Sequence, residues 1–332
     1  MDGRSLVAIV MLLPTLALAG CGPRRPLAAG GAGALANGGI SFYRDGSYYL
    51  MKEDGTGVTK LDWPFLIVTD PVWSPDGARV AFKVNDTSGS IAVMEADGFG
   101  RRRLLAPEWL EERTEVSGPS WSPDGKSLAF AASHLTEEGE GCEELDCLRF
   151  IRSVVYVIDA HGGTPVAMTD SERIVAFASR WSRDRRTIAF VGLPVPDPEG
   201  RYPGRPSVFL LDVTDRSMRK VDVAPEEILT YHLSWSPDGK SIAIGSDSDV
   251  YILDVQTGET RRLTESEPGA YEPLTFLSPA WSPDGRWIAF ARCRGDRCWV
   301  WTMRPDGSGA RRLARGGWPA WRPVPVQEET PP

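Results

Sequence analysis

Carboxylates and cysteines are the side chains of this sequence that could do chemistry, and both are bunched. Glu108, Glu111, Glu112 and Glu115 surround Trp109, while Glu137, Glu138, Glu140, Glu143, Glu144 and Asp146 crowd into one short stretch. A third group, Glu265, Glu267 and Glu272, flanks Tyr271. Two carboxylates held across a scissile bond act as general acid and base, so Glu108 or Glu140 could serve an extracytoplasmic hydrolase or lyase acting on peptide or saccharide. A rim of solvated carboxylates would instead speed the arrival of a basic protein or peptide, with exposed Trp109 and Tyr271 as aromatic anchors.

Motifs that would favour catalysis fail on inspection. Gly125-Lys126-Ser127 and Gly239-Lys240-Ser241 look like the end of a phosphate-binding loop, but the earlier glycine such a loop needs is Ser120 or Ser234. Gly-x-Ser-x-Gly and His-Glu-x-x-His are both absent, and the 3 histidines are His134, His161 and His232. Arg294-Gly295-Asp296 reads as a tight loop. The sequence therefore predicts a binding protein with no catalytic residue, no metal and no cofactor. A net charge of -8 further argues against nucleic acid as a partner.

Apart from Cys21, the cysteines form two pairs of the same spacing, Cys142/Cys147 and Cys293/Cys298. Each pair is placed to clamp a loop as a disulfide, which fits an oxidising compartment. A shared zinc site would require the pairs to meet in space.

Those loops need a scaffold, and the sequence names it. The string Trp-Ser-Pro-Asp-Gly-x-x-apolar-Ala-Phe begins at Trp73, Trp121 and Trp281 and, with changes, at Trp181 and Trp235. Trp321 opens a truncated copy. Ser-Pro-Asp-Gly suits a tight hairpin, because Pro presets φ and Gly takes the left-handed conformation. Arg183 and Arg185 replace Pro and Gly after Trp181, so that turn is expected to be looser. Alternating apolar runs such as Ile91 to Met94 and Val155 to Ile158 supply a third strand in each repeat. A basic outer strand ends it, as in Arg101-Arg102-Arg103, Arg261-Arg262 and Arg311-Arg312, where positive charge protects a sheet edge.

Repeats of this size and strand content predict an all-β, six-bladed propeller. Residues 39–61 lack a first strand and Trp321 lacks everything after one, so pairing the two ends would complete the last blade and close the ring. Trp73, Trp121, Trp181, Trp235, Trp281 and Trp321 share one repeat position and are expected to pack between blades.

The repeat resembles that of the TolB family, the periplasmic component of the Tol-Pal envelope system, over residues 39–323. The resemblance implies the fold and a protein partner. It also implies that TolB carries a separate α/β domain ahead of its propeller, for which residues 1–38 leave no room, so a propeller alone is expected.

Arg4 and the apolar run from Leu6 to Leu18 read as a signal peptide spanning residues 1–20. Leu18-Ala19-Gly20-Cys21 resembles the bacterial lipobox, which implies cleavage before Cys21 and its acylation, anchoring the chain to the membrane by lipid alone. Residues 21–38 would then be a flexible tether about 20 to 25 Å long, and residues 324–332 a disordered tail. Gly22 after the cysteine favours the outer membrane, facing the periplasm, if the host is Gram-negative.

Connections between first and second strands, and between third and fourth, are tight turns throughout. The insertions, at 105–118, 131–153, 191–206, 223–233 and 265–279, all fall on the opposite rim with both cysteine pairs. Repeat folds put insertions on their binding face. The expected function is thus a non-catalytic cell-envelope lipoprotein that binds or scaffolds a protein or peptide through a long-loop acidic rim.

Overall fold

Each Trp-Ser-Pro-Asp-Gly hairpin is a closed hydrogen-bond circuit, and this is what fixes the repeat. In the second blade the Ser122 hydroxyl donates to Asp124 at 2.6 Å and accepts from the Ser127 amide at 2.9 Å. Asp124 in turn accepts from the Lys126 amide at 3.1 Å. The same circuit joins Ser236 to Asp238 and Ser282 to Asp284. Gly77, Gly125, Gly239 and Gly285 sit at φ between 66 and 74, where a side chain would be strained.

The divergent copy keeps the shape but loses part of the circuit. Arg185 adopts φ 64 in place of glycine. Its amide reaches the Ser182 carbonyl at 3.4 Å, against 2.8 to 3.0 Å for the glycine amides of the other turns. Asp184 pairs with the Thr187 hydroxyl, leaving the Ser182 hydroxyl buried without a partner among the described residues. This is the looser turn expected from its sequence.

The computed structural model describes residues 38–63, 68–84, 89–110, 114–136, 150–170, 174–194, 206–221, 223, 232–246, 249–265, 278–294 and 297–324. These form six antiparallel sheets. Numbered in chain order, the inner strands of blades 1 to 5 are Val68–Trp73, the pair Thr114–Val116 and Ser120–Trp121, Ile174–Trp181, His232–Trp235 and Ala280–Trp281. Blade 6 joins the two ends, with Gly317–Arg322 innermost and Gly39–Arg44, Ser47–Met51 and Thr59–Lys60 outside it. Ile40 lies opposite Trp321 in that sheet. Every inner strand touches the next around the ring, including blade 6 with blade 1. The expected fold and its closure are thus both present.

The core lies between blades as a series of apolar layers. One brings Leu128, Phe130 and Ile158 of blade 2 against Ile91 and Val93 of blade 1, with Trp121 between them. The repeated tryptophans tie each blade to the one before. The indole N–H groups of Trp121, Trp235 and Trp321 donate to the carbonyls of Val72, Arg180 and Ala280. Trp73 reaches Ala320 through the Ser41 hydroxyl. Trp181 and Trp281 use a different bond, their backbone amides donating to Ser120 and Ser234.

The basic outer strands do more than guard an edge. Arg102, Arg219, Arg261 and Arg311 each donate to carbonyls in the turn of the following blade, at Ala160, Val255, Asp306 and Glu53 respectively, over 2.8 to 3.0 Å. Strands also run further than their sequence patterns suggest. Ser127–Thr136 and Phe150–Asp159 extend into the stretch read as a 131–153 insertion, because their backbones pair continuously from Ser127/Asp159 to Thr136/Phe150.

Candidate functional site

An antiparallel blade sends its first-to-second and third-to-fourth turns to one rim and its remaining connections to the other. The long connections therefore share a rim with the start of each inner strand, and the channel mouth opens there. Of the acidic residues singled out from sequence, Glu108, Glu115 and Glu265 are described: Glu108 is exposed in a short 3-10 turn, Pro107–Trp109, Glu115 lies in the strand Thr114–Val116, and Glu265 is exposed. Glu111, Glu112, Glu137, Glu138, Glu140 and Tyr271 lie outside the described residues, as do Cys21, Cys142 and Cys147.

Trp109 corrects an expectation. Its ring stands edge-on to Phe130 at 5.9 Å and to Tyr156 at 5.1 Å, so it is half-buried against the blade 2 core instead of standing free. The apolar neighbours supplied by the second and third strands hold it there. Cys293 and Cys298 are joined in a disulfide directly across the blade 5 hairpin. Gly125-Lys126-Ser127, the phosphate-loop lookalike, is part of a hairpin whose donors are spent on Asp124 and Ser122. Among the described residues no group of three His, Cys, Asp or Glu side chains could hold a metal.

The channel mouth carries charge that the sequence analysis did not single out. Three residues before each repeated tryptophan stand Asp70, Gly118, Ala178, His232, Ser278 and Trp318. In blades 1, 3 and 6 this position has positive φ, at 51, 48 and 48, and the strand register slips there. In blade 2 the inner strand breaks between Val116 and Ser120, around the same position. Such backbone costs about 1 to 3 kcal/mol at each non-glycine site. A signal was available: Pro71, Pro119, Pro279 and Pro319 sit two residues before their tryptophans, and a residue without an N–H interrupts an inner strand.

The break serves Asp70. A Cβ on Gly118 would lie 2.7 Å from the Asp70 Cβ and 3.0 Å from its Oδ2, so glycine is what gives that carboxylate its place. Arg180, one residue before Trp181, enters the mouth from blade 3 and donates to the Ser179 carbonyl at 2.9 Å. Burial lowers its basicity and Asp70 opposes that effect. Burial likewise pushes the His232 imidazole below the usual histidine pKa, with Asp70 opposing the shift and Arg180 adding to it. Tyr48, buried between blades 6 and 1, has its phenol pKa raised by burial first and by Asp70 second. The mouth thus holds one carboxylate, one guanidinium and one neutral imidazole from three blades.

A family model described as TolB beta propeller domain matches residues 149–327. The solved structure of TolB from Acinetobacter baumannii is similar, with a TM-score of 0.64 at 22% identity, covering 87% of this chain and 67% of that one. An uncharacterized protein of Agrobacterium fabrum is 32% identical over 126 residues, 37% of this chain and 40% of that protein. An uncharacterized peptidase of Bacillus subtilis is 27% identical over 238 residues, 68% of this chain and 29% of the peptidase. The matches thus span less than half the length of these curated relatives.

Proposed function

The chain belongs to the TolB beta propeller domain family, and from that premise we propose that it is a non-catalytic cell-envelope lipoprotein that binds or scaffolds a protein or peptide partner through its long-loop rim. The observation that carries the reading is the division between the rims. First-to-second and third-to-fourth connections are all short and share one rim, while those on the other vary in length, from the two-residue hairpin between Arg44 and Ser47 upwards, around the channel mouth. Rigid scaffolds place recognition on such loops. Glu108, Glu111, Glu112, Glu137, Glu138 and Glu140 would favour a basic partner, chiefly through its rate of arrival, with Tyr271 adding contact area.

In this reading residues 1–20 are removed, Cys21 is acylated, residues 21–38 tether the ring and residues 324–332 trail from it. Cys142 and Cys147 form a second loop clamp. The similarity to the Bacillus peptidase favours one alternative, an extracytoplasmic hydrolase or lyase acting on peptide or saccharide at the channel mouth. That match leaves most of the peptidase without a counterpart, so it weighs less than the family match.

Crosslinking in intact cells, followed by recovery of partners with the wild-type chain, tests the main reading. A second chain has residues 137–149 replaced by a short Gly-Ser link, and a third has Glu108, Glu111 and Glu112 changed to Gln. The partner should be recovered strongly by the wild type and weakly by both others. Equal recovery by all three would exclude the loop rim. Cys21→Ser should release the protein from membranes, and retention there would remove the anchor from the account.

A further inference from the structure

We propose that the short-turn rim is a lipid-facing surface, resting on the phospholipid bilayer along an arc from blade 6 to blade 3 and turning the loop rim outward. This deepens the anchored-lipoprotein reading and rests on it. Two observations carry it, and the first is where the chain leaves the ring. Each inner strand runs towards the short-turn rim, and in blade 6 the two chain ends stand where the other blades have their Ser-x-Asp turn, with Gly39 opposite Arg322. Arg322 Nε donates to the Gly77 carbonyl of the blade 1 turn at 3.0 Å, and a Cβ on Gly77 would lie 2.4 Å from the Pro323 carbonyl oxygen. A Cβ on Gly38 would lie 2.8 Å from Val324, so both ends cross this rim side by side. The tether, at about 20 to 25 Å, reaches little further than the length of one six-residue strand. From this exit it brings the short-turn rim to the lipid, and not the loop rim behind it.

The second is where apolar surface is exposed. Of the six large apolar side chains exposed among the described residues, Val58, Phe99, Val166, Met218 and Val324 lie on the short-turn rim, and Trp318 stands at the channel mouth. Val324 marks the chain exit. The other four lie in the third-to-fourth connections, or at the first outer-strand residue, of blades 6, 1, 2 and 3, which follow one another around the ring. Blades 4 and 5 open their outer strands with Thr260 and Arg311 instead. The turn itself does not call for an apolar side chain. Phe99, 72% exposed, donates its amide to Asp97 at 3.0 Å and accepts from the Glu95 amide at 2.9 Å. In blade 5 Ser308 makes the same two bonds, to Asp306 and from Arg304, at 2.8 and 2.9 Å. Serine thus serves this turn as well, and the Phe99 ring is surplus to it. Apolar side chains gathered on one face mark a contact surface, and the affinity of such a face for a bilayer grows with the apolar area it buries. Exposed Glu108 belongs to the opposite rim and so faces away from lipid phosphates, which would repel it.

The test holds the full chain, with Cys21→Ser and a histidine tag inserted after residue 21, on phosphatidylcholine vesicles through a nickel-chelating lipid, so that attachment does not depend on acylation. A fluorophore on Lys126→Cys reports the short-turn rim and one on Asp45→Cys the loop rim, both positions being exposed, against a nitroxide on the lipid headgroup. The label at Lys126 should be strongly quenched and the label at Asp45 little; equal quenching, or the reverse, would overturn the proposal. Phe99→Ser with Val58→Ser should bring quenching at Lys126 down towards that at Asp45, while thermal melting stays that of the parent chain. Should that variant melt early, Val166→Ser with Met218→Ser takes its place. Quenching left unchanged by a folded double variant would mean that the rim hangs near lipid without touching it, which would overturn the contact. A dimer that forms without vesicles and that Phe99→Ser dissolves would assign the arc to a second copy of the chain, again overturning it. The anchor itself is read separately, by release of the Cys21→Ser chain from cell membranes, so its failure is distinct from failure of the rim.

Discussion

The two rims of the ring are made by one repeat and spend it differently. On the short-turn rim, each Ser-x-Asp circuit satisfies its own backbone donors, and outer-strand arginines reach the next blade's turn. At the channel mouth the same strands slip register, break or take positive φ, at Asp70, around Gly118, at Ala178 and at Trp318. The contrast teaches that the repeat's hydrogen bonds are concentrated where variation is not needed. A fold that locks one rim can tolerate strain on the other.

The comparison would be broken hardest between blades. Trp121 is 6% exposed, packs in the blade 1–2 layer, donates to Val72 and lies under the Arg79 guanidinium at 4.7 Å. Trp121→Ala should cost about 3 to 5 kcal/mol in urea denaturation, the usual range for a buried aromatic. A cost under about 1 kcal/mol would mean that blades are held by something other than these layers. Next in size is the loop-rim clamp. Opening Cys293–Cys298 by Cys298→Ser should cost about 2 kcal/mol for so small a covalent loop, and reductant should lower the wild-type midpoint towards that of the variant.

How much of this was legible depends on whether a feature repeats. Six copies of one tryptophan and several of one turn made the ring and its closure readable, since Trp321 and Phe42 complete a single pattern between them. Arg102, Arg219, Arg261 and Arg311 also recur, yet their bonds to the neighbouring blade were hidden, because charge on an outer strand says nothing about the distance to the next turn. Pro71, Pro119, Pro279 and Pro319 marked the channel mouth by the same logic, but only once each was counted back from its tryptophan. Asp70, Arg180 and His232 could not be grouped from sequence at all. They occupy two different repeat positions in three blades, and closing the ring is what brings them together. Trp109 shows the converse: an aromatic among glutamates looks exposed until the strands behind it are in place.

A subtler test compares intact and divergent turns on the short-turn rim. Ser122→Ala removes a hydroxyl that both donates to Asp124 and accepts from Ser127, and should cost about 1 to 2 kcal/mol. Ser182→Ala removes a hydroxyl with no partner among the described residues and should be close to neutral. The pair also has a pH signature. The Ser122 hydroxyl, followed by the Lys126 amide, lowers the Asp124 pKa below its unfolded value. Stability from that circuit is therefore present above the ordinary aspartate range, near pH 4, and is lost as pH falls through the lowered folded value. The gap between wild type and Ser122→Ala should shrink on acidification, while Ser182→Ala should track wild type at every pH. A gap that stays constant down to pH 2 would move the stabilisation from the carboxylate to the backbone bond with Ser127.

The smallest expected effect belongs to the outer arginines. Arg102→Ala removes one part-buried bond to the Ala160 carbonyl and should cost no more than about 0.5 to 1.5 kcal/mol. If such bonds stitch blades in series, then Arg102→Ala, Arg261→Ala and Arg311→Ala should add when combined, because they join different pairs of blades. If the arginines act only by guarding an edge, the triple variant should melt close to wild type but aggregate faster, a change that light scattering would register and denaturation would not. Additive loss of stability without aggregation would place the bonds, and not the charges, as what the outer strands contribute to the closed ring.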